Sequence, residues 1–181
     1  RPEGHRDRGL QPGTAKPGDR ALRGQGQANV AATPDAVWAM LLDVDTLASI
    51  IPGCHGVDKL SETHFKADVT LGVGPVKGRY KAQIRLSDLD APRAATLSGS
   101  VSGALGTGGG SGRVTLTPAG EGGTLIAYTY EAAVGGKVAA IGGRLLDGAA
   151  RAIIGQFFAA LARRASPPRP GFIGRLLGRR P

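Results

Sequence analysis

The middle of the chain alternates between apolar and polar residues, a pattern typical of strands in a sheet that is buried on one side. The alternation is clearest over 63–71 and 76–86, where apolar and small positions alternate with Lys, Arg and Gln. Similar patterns predict further strands over 22–31, 94–103, 112–118 and 124–133. The sequence therefore predicts an antiparallel sheet with one face in water and one toward an interior.

Two short helices are predicted after the first strand. Thr33 is a good N-cap, and Pro34 is a good first residue for a helix over 33–42. A second helix over 45–50 is expected to stop at Pro52, which is followed by glycine. Both helices precede the main run of strands.

The longest helical pattern covers 137–164, with charged residues opposite a broad apolar stripe. A helix of this length can lie across a whole sheet. The stripe consists of Val138, Ile141, Leu145, Ala149, Ala152, Ile153 and Phe157.

This order of elements predicts an α+β fold, in which a curved antiparallel sheet of about seven strands wraps around the long C-terminal helix. The predicted domain covers 22–165. A basic segment over 1–21 is expected to be disordered, and a Pro/Arg-rich basic tail follows over 166–181. Small residues are predicted on the inward side of both the sheet and the helix. They are compatible either with close packing or with an internal cavity.

The charge of the chain is concentrated at its ends. The 181 residues include 23 Lys+Arg and 14 Asp+Glu, a formal net charge of +9. Residues 24–165 hold 13 basic and 11 acidic residues, whereas 166–181 hold four arginines and no acid. A nearly neutral domain with few aromatic residues does not favour a nucleic-acid-binding protein. Because no secretory signal pattern is found near the start of the chain, we expect a cytoplasmic protein.

Candidate metal-ligating and catalytic groups are sparse. Cys54 is the single cysteine, and three scattered histidines do not suggest a metal site. Cys54 and His55 are neighbours in sequence and rarely face each other in such a position, so no nucleophile is predicted. Glu131 is the main carboxylate whose side of the sheet is uncertain. The glycine-rich stretch 103–112 lacks the spacing of a phosphate-binding loop and is expected to be a flexible hairpin connection. No catalytic residue and no metal ligand are predicted.

Aromatic and small side chains on the predicted inward faces are candidates for lining a pocket for a planar, apolar ligand. Tyrosine hydroxyls would supply the polar contacts in such a pocket. The candidate ligand-binding residues are Trp38, Cys54, Phe65, Tyr80, Tyr128, Leu145, Ala149 and Phe157.

The last residues of the chain resemble a short basic amphipathic membrane anchor. After a proline-rich linker, the sequence GFIGRLLGRRP gathers apolar residues on one helical face and arginines elsewhere. A solvated tail and a tail docked on a partner protein are the alternatives. The candidate membrane-binding residues are Phe172, Ile173, Arg175, Leu176, Leu177, Arg179 and Arg180.

Five motifs together resemble the carbon monoxide dehydrogenase G-subunit family, which belongs to the START-like, helix-grip superfamily of ligand-binding domains. The resemblance covers about 22–164. The motifs are ATPDAVW (32–38), IPGC (51–54), VGPVKG (73–78), LSDLD (86–90), and Val134–Gly136 leading to LLDG (145–148).

The resemblance implies a non-enzymatic accessory protein of an aerobic molybdenum hydroxylase of the carbon monoxide or xanthine dehydrogenase type. It implies that the protein holds this enzyme at the inner face of the cytoplasmic membrane. It also implies a carried ligand, an isoprenoid quinone, with electron transfer to the respiratory chain and no covalent cofactor. Two alternatives are a cyclase- or hydrolase-like enzyme of the same superfamily and a structural assembly factor without a ligand.

Overall fold

The computed structural model describes residues 18–73 and 76–166 and contains one antiparallel sheet of seven strands. Along the sheet the strands follow the order β1-β7-β6-β5-β4-β3-β2. Strands β2 to β7 therefore form a continuous meander, and β1 pairs with its last strand. The strands are β1 (Arg20–Val30), β2 (Cys54–Ser61), β3 (His64–Val73), β4 (Val76–Asp90), β5 (Ala94–Gly103), β6 (Gly106–Ala119) and β7 (Gly123–Gly135).

The helices complete the predicted architecture. Two short helices, α1 (Pro34–Leu42) and α2 (Val44–Ile50), connect β1 to β2, and the long helix α3 (Gly143–Ala165) follows the sheet. A short 3₁₀ helix (Gly136–Ile141) joins β7 to α3. The α+β fold, the curved seven-stranded sheet and the two short helices are confirmed.

The glycine-rich stretch 103–112 is not a flexible connection, and that prediction is wrong. The residues from Gly106 onward form the first half of β6 and pair in unbroken register with β5 on one side and β7 on the other. Only Ala104 and Leu105 connect the two strands. Backbone hydrogen bonds on both sides hold this segment as a strand despite its low intrinsic preference for one.

The ends of the domain differ slightly from the prediction. Strand β1 begins at Arg20, so the boundary expected between 21 and 22 falls inside it.

Strand β2, from Cys54 to Ser61, was not predicted as a separate strand, because its pairing with β3 includes two register irregularities that break the alternation.

Both short helices begin at side-chain caps. The Thr33 hydroxyl accepts a hydrogen bond from the Ala36 amide (3.3 Å), as predicted. At α2 the Asp43 carboxylate accepts bonds from the Thr46 hydroxyl (2.7 Å) and the Thr46 amide (3.0 Å). These bonds from Thr46, the hydroxyl first, lower the pKa of the exposed Asp43 carboxyl.

The long helix is interrupted near its start, and this changes the face that it buries. The predicted helix over 137–164 is a 3₁₀ helix up to Ile141, and α3 begins only after Gly142, whose φ is 101°. The inward orientation predicted for Leu145 is therefore wrong. Leu145 is 55% exposed, whereas its neighbour Leu146 is 4% exposed.

The helix α3 is long and apolar enough to cross a membrane, judged by length and composition alone. Two of its residues, Leu146 and Leu161, are buried in the domain. Core helices commonly pass such a test, so it carries little weight by itself.

The buried side chains form two separate clusters. In the first cluster, Leu161 of α3 packs with residues from both short helices and from β1, β6 and β7. The second cluster lies on β3 and β4 and is covered by residues such as Ile51, Leu105 and Val138. The first cluster is Val30, Val37, Ile50, Leu116, Ile126 and Leu161, and the second is Ala67, Val69 and Tyr80.

Two leucines of α3 test the face that the helix buries. Leu161→Ala should lower the free energy of unfolding by about 2–5 kcal/mol, because it removes a fully buried side chain. The matched variant Leu145→Ala should change it by less than about 0.5 kcal/mol. Urea unfolding followed by circular dichroism measures both values. Equal losses in the two variants would contradict this orientation of α3.

Candidate ligand-binding site

The inward face of the sheet is open in its middle, between the two clusters. Strand pairing aligns one row across four strands, from Ile84 through Gly99 and Gly110 to Ala132. Residues directly opposite each other share a face of the sheet, so this row points toward the helix side. Together with two neighbours it forms what we call the central strip, which consists of Ile84, Leu97, Gly99, Val101, Gly110 and Ala132.

The central strip is apolar but not fully buried. Its six residues are half-buried or, in the case of Gly99, exposed. Phe65, which pairs with Ile84, borders the strip and is 4% exposed. An apolar surface with this degree of exposure, flanked by two packed clusters, is suited to an apolar ligand.

Each of the three tyrosines lies over a glycine of the neighbouring strand. Tyr128 pairs with Gly26, and a Cβ atom added to Gly26 would overlap the Tyr128 hydroxyl. Tyr130 has the same relation to Gly24. The Tyr80 ring comes within 2.7 Å of a Cβ atom added to Gly103, its partner on β5. The glycines thus let the rings lie flat along the sheet instead of standing up from it.

An aromatic wall connects the sheet to α3. The Tyr128 and Phe158 rings stack with a centroid distance of 4.9 Å and an interplanar angle of 15°. Phe157 meets Phe158 edge to face at 5.2 Å. Such contacts stabilise the helix against β7.

A groove of about 420 Å³ lies between α3 and the strands β1 and β7. Tyr128, Tyr130, Gly24 and Gln25 line its sheet side. On the helix side it is lined by Arg151, Ile154 and Gly155. Its size lies within the range of small-molecule sites.

A larger depression of about 530 Å³ includes outward-facing residues of β1, β5, β6 and β7. Several of the polar side chains that line it already bond to each other. Arg23 forms an ion pair with Glu131 (3.0 Å), and the Arg113 guanidinium donates to the Thr96 hydroxyl (3.0 Å). Glu131, whose orientation the sequence left uncertain, therefore faces outward and is no candidate for inward acid–base chemistry.

The predicted pocket residues lie in different parts of the domain and do not line one pocket. Trp38 and Phe157 pack against the first cluster, and Cys54 packs against the second cluster, which includes Tyr80. Tyr128 joins the aromatic wall. Phe65 borders the central strip, Ala149 is half-buried on α3, and Leu145 is in solvent.

Tyr130 and Phe158 were not among the ligand-binding residues predicted from the sequence. Tyr130 has the same position in the alternation as Tyr128, so the period of two could have identified it. Phe158 could not be distinguished from Phe157 without the rotation of α3, which only packing determines.

Cys54 and His55 do not form a pair. The Cys54 thiol lies 3.5 Å from the Gly56 carbonyl oxygen and is half-buried. The exposed His55 ring instead bonds the Thr70 hydroxyl (2.6 Å). Their separate partners agree with the expectation that neighbouring residues point apart.

Solved structures identify the class of the fold. A conserved protein from Geobacillus kaustophilus is 37% identical, with a TM-score of 0.75 over 80% of this chain and 95% of that one. The Zhui aromatase/cyclase from Streptomyces sp. R1128 is 16% identical, with a TM-score of 0.61 over 81% of this chain and 94% of that one. A START superfamily protein from Mycobacterium smegmatis is also 16% identical, with a TM-score of 0.61 over 79% and 96%. The chain has a START-like fold.

The family follows from the sequence. The profile of the carbon monoxide dehydrogenase G-subunit family (CoxG) matches residues 26–166, and the chain belongs to this family. No protein of curated function has a significant match to it. Family and fold together support a ligand-binding accessory role, and the family name connects that role with carbon monoxide dehydrogenase.

Tyr80 provides a test of this site by titration. Burial raises the pKa of its hydroxyl above the ordinary value of 10.0. The folded state therefore keeps this proton at a pH where the unfolded state has lost it. Stability should fall as the pH rises from about 10 through the raised pKa. The ultraviolet absorbance of ionised tyrosine should detect this late-titrating hydroxyl.

Two substitutions test whether the late-titrating signal comes from Tyr80. Tyr80→Phe should remove the late-titrating tyrosine, and Tyr130→Phe should leave it in place. If the late signal survives Tyr80→Phe, the assignment to Tyr80 is wrong.

Proposed function

We propose that this protein is a non-enzymatic accessory subunit that binds an isoprenoid quinone, or a similar apolar ligand, over the central strip. In this proposal it serves a molybdenum hydroxylase of the xanthine dehydrogenase type. Its C-terminal tail recruits that enzyme to the inner face of the cytoplasmic membrane. The protein is then cytoplasmic and peripheral to the membrane.

The open, apolar central strip is the observation that carries this proposal. Covering about 100 Å² of apolar surface contributes roughly 2.5 kcal/mol. A quinone ring is planar and apolar, and its carbonyl oxygens accept hydrogen bonds. The Tyr80 hydroxyl, next to the strip on β4, is a donor of the required kind.

The buried polar side chains support binding rather than catalysis. Apart from Tyr80, these are Thr46 and Thr124 within the described part of the chain. The Thr46 hydroxyl bonds the cap residue Asp43, and the Thr124 hydroxyl donates to the Ala32 carbonyl (2.6 Å). Both hydroxyls are therefore engaged in structural contacts. The similarity to an aromatase/cyclase concerns the fold alone.

The partner and the membrane contact rest on other grounds. The family supports an association with carbon monoxide dehydrogenase. The candidate membrane-binding residues from Phe172 to Arg180 lie outside the described residues, and their composition supports the recruitment.

Filling the central strip should abolish ligand binding. A Cβ atom added to Gly99 would lie 3.2 Å from the Gln83 carbonyl oxygen, a tight contact that a shift of a few tenths of an ångström relieves. Gly99→Leu should remove the ligand, and a circular dichroism spectrum equal to that of the unchanged protein checks that the fold is retained. The measurement is mass spectrometry of an organic extract of protein purified from its native source.

Gly109→Leu is the matched control, because Gly109 lies on the opposite face of the neighbouring strand with its nearest contact at 3.5 Å. The control should retain a stoichiometric quinone. Extracts without quinone from the unchanged protein, even after quinone is added and the sample washed, would refute the carrier role. An assembly factor without a ligand would then be the better description.

Charge removal in the tail tests recruitment. Replacing Arg175, Arg179 and Arg180 with Gln should weaken binding to anionic lipid vesicles by about a hundredfold, at about 1 kcal/mol for each arginine. Vesicle sedimentation at low salt measures the binding, which should also weaken as salt is added.

The control removes the same charge elsewhere. Replacing Arg79, Arg85 and Arg113, which are exposed on the strands, with Gln should leave most of the vesicle binding intact. Equal losses from the two triple variants would mean that the tail does not direct the protein to the membrane.

A further inference from the structure

The groove between α3 and β1 collects polar groups that lack partners. Within the described residues, the hydroxyls of Tyr128 and Tyr130 and the guanidinium of Arg151 form no hydrogen bond or ion pair. All three residues line the same space. Polar groups that converge on one groove without protein partners are typical of a ligand site.

The glycines of β1 bring the two hydroxyls to the groove. Gly24 and Gly26 have no side chains, so the rings of Tyr130 and Tyr128 extend across β1, and their hydroxyls lie over it. Strand β1 is at the edge of the sheet, next to α3. Two phenol donors are thus held at the sheet side of the groove.

The helix supplies a cation and an apolar wall. Arg151 is exposed at the groove, and Asp147, one turn earlier, is not within ion-pair distance of it in the described structure. Ile154 contributes apolar surface. Gly155 leaves the space open, because a Cβ atom added there would meet nothing within 4 Å.

We propose that this groove is a second binding site, and that it takes an apolar molecule with a single anionic head group, such as a carboxylate. Arg151 pairs with the carboxylate, and the tyrosine hydroxyls donate to its oxygens. The apolar body of the ligand lies along Ile154 and the aromatic wall. The ligand carries one negative charge because Arg151 is the one cationic side chain among the described residues that line the groove.

This site is separate from the central strip. Arg151 and Gly155 line the groove, whereas the strip consists of residues on β4 to β7. The inference therefore stands whether or not the strip binds a quinone.

Two fluorescent probes test the charge preference. The full chain is titrated with cis-parinaric acid and with its uncharged methyl ester, both below their micelle-forming concentrations. We expect the acid to bind about tenfold more tightly than the ester, because a charge-assisted hydrogen bond favours it. Arg151→Gln should abolish this preference. Arg144→Gln, which removes an exposed arginine near the start of the same helix, should preserve it.

A second pair of variants tests the location. Gly155→Leu should fill the groove and weaken the binding of both probes by at least about tenfold. Gly148→Leu is its control, because this glycine of α3 also has nothing within 4 Å but does not line the groove. Both changes replace glycine in a helix with a better helix former, so neither should unfold the protein.

The results of these variants distinguish binding in the groove from binding over the central strip. Loss of the acid preference in Arg151→Gln only, together with weakened binding in Gly155→Leu only, supports the site. Probe binding that survives Gly155→Leu and disappears in Gly99→Leu assigns the probe to the central strip and overturns the groove. Equal effects of Arg151→Gln and Arg144→Gln, or no binding by the unchanged protein, also overturn it.

Discussion

The packing of the three tyrosine rings along the sheet depends on glycines, which lack side chains, at inward positions of the neighbouring strands. Gly24 and Gly26 on β1 accept the rings of Tyr130 and Tyr128, and Gly103 accepts that of Tyr80. Any Cβ atom at these sites would overlap a tyrosine. Because the rings lie flat, the space above the sheet is kept for the helix, the groove and a ligand.

Glycine has a cost in such a sheet, since it weakens a strand and contributes no packing. Stability is therefore concentrated in the two clusters beside the central strip, where residues such as Ile126 and Leu161 are fully buried. A domain stabilised on both sides of an uncovered middle can bind apolar molecules without unfolding. The same distribution explains why glycine-rich β6 stays ordered: its neighbours β5 and β7 hold it on both sides.

Helix α3 combines several roles through the different faces it presents. Leu161 joins the first cluster, Phe158 stacks on Tyr128, and Arg151 faces the groove. Its last residues are also tied to α2, because Arg164 donates to the Ser49 hydroxyl (3.0 Å).

Local patterns were sufficient for the order of the elements, for most strands and for the Thr33 cap, because alternation and capping depend on residues close in the chain. They also identified Tyr80 and Tyr128 as inward residues. The tertiary structure alone decided that 106–112 is a strand, that Leu146 rather than Leu145 is buried, and that glycines meet tyrosines across β1 and β7. Strand register and helix rotation depend on contacts between residues far apart in sequence, which no local period contains.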